Sequence, residues 1–108
     1  MSVAFQVQIG NQNIASRSYN GAGPCSRAEG KRLLEAIYDE SVRYESALRG
    51  RQDFRNAIDS AKRAIDNAVG GADASPYQRA FYTTRFATNA GYVRVDIEIY
   101  RGNGHFRS

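Results

Sequence analysis

The chain has 108 residues, enough for one domain with a modest core, and no apolar run approaches the roughly 20 residues that a membrane helix needs. Its net charge of +4 is spread thinly, with one Arg and no acid in residues 1–26 and five Arg against three acids in residues 72–108, so no basic block argues for nucleic acid. Cys25 is the single cysteine and His105 the single histidine, which excludes an internal disulfide and an ordinary four-ligand zinc site; no loop-spaced group of Asp and Glu suggests a carboxylate metal site, and no cofactor or metal is expected.

Val3, Phe5, Val7 and Ile9 alternate with Ala4, Gln6 and Gln8, which is the period of a half-buried strand and not the pattern of a secretion leader. With the lone cysteine, this points to a cytoplasmic protein without a membrane segment. Gly10-Asn11 predicts a hairpin turn, and residues 14–19 the return strand, whose weak alternation suits an edge. Asn20 to Cys25 reads as a loop. Ser26 with Glu29 three residues on is a capping box, opening a helix with Leu33, Leu34, Ile37, Ser41, Tyr44 and Leu48 in one stripe. Asp39–Arg43 and Glu45–Arg49 are spaced as i,i+4 ion pairs.

Gly50 interrupts this run, so of the two arrangements open to residues 27–69, a helical hairpin or one bent helix, the pattern favours the hairpin. Phe54, Ile58, Ala61, Ile65 and Ala68 form one face of the second helix, with Val69 beside them, and Gly70-Gly71 stops it. After a connection at 72–76, residues 77–87 are rich in strand formers, with Tyr82, Thr84 and Phe86 on one face. Thr88 to Gly91 is a turn. Residues 92–100 then alternate strictly: Val93, Val95, Ile97 and Ile99 against Tyr92, Arg94, Asp96, Glu98 and Tyr100. The order is ββ-αα-ββ. The simplest closure is an α+β fold in which both hairpins share one antiparallel four-stranded sheet, 3–9 and 92–100 lie centrally, and the helices cover its dry face. Residues 1–101 make the domain, and 102–108 are expected to be a flexible tail.

No catalytic constellation stands out. Asp96 and Glu98 share the wet face of their strand, a spacing common among surface charges. Cys25 precedes a helix start, where a thiol pKa can fall, but the only available base, His105, sits in the expected tail. Tyr92, Arg94 and Tyr100 on the wet face, and Tyr38 with Val42 on the flank of the first helix, are candidates for contact with a protein or a second copy of the chain. Stacking of single-stranded RNA on Tyr92 and Tyr100 is disfavoured, because Asp96 and Glu98 would repel phosphate. Two features fit an anion. One is the loop and helix start with Gly21, Gly23, Ser26, Arg27 and Lys31, although it lacks the P-loop ending. The other is the cluster Arg49, Arg51 and Arg55. The reading that emerges is a non-enzymatic protein acting through protein contacts, as an assembly factor, adaptor or inhibitor. The alternative is a nucleic-acid or phosphate-binding module.

Overall fold

The computed structural model describes residues 1–68, 79–102 and 106–108. Along them run β1 (Ser2–Ile9), β2 (Gln12–Asn20), α1 (Arg27–Tyr44), a 3₁₀ turn (Ser46–Leu48), α2 (Gln52–Asp66), β3 (Arg79–Thr88) and β4 (Gly91–Arg101). The strands form one antiparallel sheet in the order β2-β1-β4-β3, and both helices pack on one face of it. The ββ-αα-ββ order, the α+β class and the central position of β1 and β4 agree with the sequence.

The core follows from two periods. Every second residue of β1 and β4 points to the helices, and the register sets Val3 beside Ile99, Phe5 beside Ile97 and Val7 beside Val95. Against this aliphatic floor α1 lays Leu33, Leu34 and Ile37, and α2 lays Phe54, Ile58, Ala61 and Ile65. Residues three and four apart fall on one side of a helix, so each helix offers one apolar stripe and keeps its charges outward. Two helices form instead of one bent helix. After Tyr44 the Glu45 carboxylate accepts from the Ala47 N–H at 3.1 Å, and Gly50 takes φ +81°, a backbone conformation that residues with a side chain rarely adopt.

Several local expectations are corrected. The alternation of β2 fails because of a bulge: Val7 faces Ala15 and Gln8 faces Asn13, so Ile14 is extra, and Ile14 and Ala15 are both buried. Tyr44 leaves the stripe and is exposed, because α1 ends there; its hydroxyl accepts from Gln12. The Asp39–Arg43 and Glu45–Arg49 ion pairs do not form among the described residues, and the carboxylate of Glu45 serves the turn instead. Half of the capping box is present. Ser26 Oγ accepts from the Glu29 N–H at 3.1 Å, but the Glu29 carboxylate pairs with Arg32.

The largest departure is at the C-terminal end. Instead of trailing loosely, Phe106 is fully buried, with its ring edge-on to Phe81 at 5.4 Å. The Arg107 N–H donates to the Cys25 carbonyl at 3.0 Å, and the Arg27 N–H donates to the Arg107 carbonyl at 2.8 Å. The absence of a side chain at Gly30 admits the ring: a Cβ there would stand 3.4 Å from Phe106 Cε1 and 3.0 Å from Ile65 Cδ1. Burying one phenyl group gains roughly 1.5–3 kcal/mol, enough to offset much of the cost of ordering a few residues. Val69, the Gly70-Gly71 stop, the 72–76 connection and His105 lie outside the described residues.

Phe106 is therefore a core residue in function as well as in position. Phe106→Ala is expected to lower the unfolding free energy by roughly 3–5 kcal/mol in a urea titration. A loss below about 1 kcal/mol, the size of an ordinary surface change, would refute this placement.

Candidate functional site

The first helix and the connection after it bring together residues from two separate sequence candidates. Tyr38, Asp39, Val42, Arg43 and Arg49 line one open groove of about 430 Å³. Tyr38 and Val42 lie one helical turn apart, so both face the same side of α1. Val42 is buried, and the Tyr38 ring stacks on Phe54 of α2 with centroids 5.1 Å apart. The flank expected to be free for a partner is thus largely taken up by the helical hairpin, and what remains is the floor of the groove. Asp39, Arg43 and Arg49 form its rim. All three are exposed, and none has an ion-pair partner among the described residues.

The other two arginines of the cluster are engaged within the chain. Arg51 grips Asp53 with two hydrogen bonds of 3.0 and 2.7 Å and lies over the Phe86 ring. Arg55 donates to Asp59 at 2.8 Å and to Glu35, with its guanidinium 4.6 Å from the Tyr38 ring centroid. Lys62 also reaches Glu35. The hydrogen bond from Arg55, and then that from Lys62, hold the Glu35 carboxyl down at about 2. Of the three, Arg49 faces solvent without a carboxylate partner among the described residues.

The glycine loop and the start of α1 are also occupied by their own chain. The carbonyls of Gly21 and Gly23 accept from the Met1 amino group at 2.6 and 3.3 Å, so the loop turns acceptors, not donors, toward a charge. At the helix start the Arg27 and Glu29 amides are bound to the Arg107 carbonyl and to Ser26 Oγ. The Arg27 side chain crosses to the end of α2 and donates to the Ala68 carbonyl at 2.7 Å, where the helix dipole favours a cation. Lys31 pairs with Asp66 at 2.8 Å. Cys25 is fully buried, and burial foremost pushes its thiol up to about 11, so it stays protonated at neutral pH.

On the outer face of the sheet Tyr92 is 60% and Tyr100 38% exposed, whereas Asp96 is only 2% exposed. The expectation of a solvated Asp96 is corrected. β4 is a central strand, so Gln6 flanks Asp96 on one side and Thr83 on the other. One carboxylate oxygen accepts from Thr83 Oγ1 and the other from Arg94 Nε, both at 2.8 Å. Glu98 accepts from the Tyr100 hydroxyl at 3.3 Å; burial first, and then this carboxylate, raise the Tyr100 pKa. Directly across from Arg94 stands Arg85, its guanidinium 5.4 Å from the Tyr92 ring centroid.

Arg43 and Arg85 were not singled out from the sequence. Arg43 was assigned to Asp39 by helical spacing alone. Arg85 could have been found by counting back from the Thr88–Gly91 turn, which sets it opposite Arg94. Among the described residues no helix is long and apolar enough to cross a membrane.

Two consequences can be measured. Glu35 ordinarily titrates at 4.5 and is held at about 2 in the fold, so its contribution to stability is complete above 4.5 and disappears as the pH falls toward 2. The stability difference between the native chain and Glu35→Gln should narrow over that interval in urea titrations; a constant difference would contradict the pairing. Arg94→Gln leaves the buried Asp96 with a weaker partner and should cost roughly 1–3 kcal/mol, whereas Arg85→Gln should stay within about 0.5 kcal/mol. Equal effects would mean that Arg94 does not stabilise Asp96.

Compared with known proteins, the chain matches no family model, no curated protein and no solved structure at a significant level.

Proposed function

We propose that the chain is a non-enzymatic binding protein that docks a protein partner in the groove formed by α1 and the connection that follows it. The observation that carries this reading is the contrast among arginines. Arg32, Arg51 and Arg55 of the helical layer each hold a carboxylate, while Arg43 and Arg49 face solvent above an apolar floor of Tyr38 and Val42. An apolar anchor ringed by unmatched guanidinium groups suits a partner segment that carries an aliphatic or aromatic side chain between acidic residues. Asp39, the one acid on the rim, gives such a segment a fixed orientation, since its own basic groups meet Asp39 and its acids meet the arginines. This fits an adaptor, assembly factor or inhibitor, all of which work by contact and not by chemistry.

The double charge reversal Arg43→Glu with Arg49→Glu tests it. Both side chains are exposed, so the melting temperature should change little. A stoichiometric protein captured from the native host by the parent chain should be lost at least about tenfold by the reversed chain, the scale of removing paired interfacial charges. Equal capture by both chains, or co-purification of nucleic acid in place of a protein, overturns the reading.

A further inference from the structure

We propose that the uncovered face of the sheet binds single-stranded nucleic acid at the β3–β4 end, with Arg85 and Arg94 on a phosphate and Tyr92 beneath a base. This site lies on the opposite layer from the groove and does not depend on it.

The β3–β4 hairpin sets Arg85 directly opposite Arg94, a cross-strand relation in which like charges repel. The two side chains lean apart along the strand: Arg94 toward Asp96, at 2.8 Å, and Arg85 toward Tyr92, with its guanidinium 5.4 Å from the ring centroid. The nearer carboxylate of this face, Asp96, therefore holds Arg94 and not Arg85, and it is sealed. Asp96 is 2% exposed, and its two oxygens are engaged by Thr83 and Arg94. An anion approaching from solvent meets the two arginines and not Asp96. A phosphate oxygen between them would draw both groups inward and relieve their repulsion.

Glu98, the remaining acid of the face, does not reverse this. It is four residues from Arg94 along the same strand, which is about 13 Å at the usual strand rise. That exceeds the screening length of about 8 Å at physiological salt. The objection to phosphate on this face rested on both acids, and burial removes the nearer one.

The second element is the ring. Tyr92 is the most exposed of the large hydrophobic side chains, and Arg85 lies over it as a cation on a π face. An exposed tyrosine beside two arginines offers stacking to a base and charge to the adjoining phosphate, the pairing that single-strand binders use without reading sequence. The neighbours keep the face flat: Ala87 lies opposite Tyr92, and Gln8 lies opposite Arg94 from the other side. A duplex keeps its bases stacked inward and would reach only the arginines, so the tyrosine favours a single strand.

Fluorescence anisotropy with a labelled, mixed-sequence single strand of about 12 nucleotides is the direct test, begun at roughly 50 mM salt. Binding should weaken steeply as salt rises. Tyr92→Ala should weaken it roughly 5- to 150-fold, and Tyr92→Phe should retain it. Arg85→Gln should lower affinity and reduce the logarithmic salt slope by about 0.7. Arg32→Gln, which makes the same change in charge on the exposed side of α1, should leave affinity within about twofold. Circular dichroism confirms the fold of each variant. The proposal fails if the strand does not bind at low salt, if Tyr92→Ala and Arg85→Gln bind as the parent does, or if polyglutamate competes as well as the unlabelled strand.

Discussion

Helices cover only one face of this sheet, and most of the molecule follows from that constraint. A two-sided sheet with one-sided cover needs strands that are dry on one side and wet on the other. β1 and β4 meet the demand along most of their length, because they are central and have neighbours on both edges, and the one irregularity between them leaves Tyr100 extra at the end of β4. β2 and β3 meet it loosely, and each carries a register irregularity. In β2 the irregularity turns both Ile14 and Ala15 inward. In β3 it falls at Phe81, whose ring then meets Phe106. The two irregular edges fit the sheet to a helical layer that straight strands would cover less well.

Where one period rules, the sequence was legible. The alternation in β1 and β4, the three-and-four spacing of α2, the two-residue turns and the break at Gly50 each express a local preference that the fold keeps. What stayed hidden was long-range. Phe106 sits in a short stretch rich in glycine and polar residues, where a single aromatic carries no periodic signal, and it packs beside Gly30, a helix residue far away in sequence. Asp96 obeys the alternation and is still dry. The pattern tells which face a side chain points to, but not whether longer neighbours close over a short one. Helical spacing likewise proposed Asp39–Arg43 and Glu45–Arg49, whereas Glu35 instead gathers Arg55 and Lys62 from the other helix. Local spacing fixes which charges can meet within one helix, and packing decides which charges do meet.

The same sorting gives the modest net charge its meaning. Thirteen arginines in 108 residues look uniform in sequence. In the fold, Arg17, Arg32, Arg51, Arg55 and Arg94 each hold a carboxylate, and Arg27 closes the end of α2. These contacts make the surface near them electrically quiet. Arg43, Arg49 and Arg85 hold no carboxylate among the described residues and stand beside an aromatic or aliphatic side chain. Among the described residues the diffuse charge thus includes, on each layer, a small region where a guanidinium group, an apolar surface and solvent coincide.

The two regions are joined through the core by aromatic rings. Tyr38, on the groove, stacks on Phe54, and Phe54 lies 6.2 Å from Phe86, the residue that follows Arg85 on β3. Continuity of packing does not by itself make a switch. Coupling between sites needs an element with two arrangements that each ligand favours differently. Phe54 is fully buried between α1 and β3, and Arg51 and Arg55 lie over the outer rings of the run, held by Asp53, Asp59 and Glu35. The two proposed sites face opposite ways, so occupation of one leaves the other open to solvent, and a coupling between them would have to act through this buried run of rings.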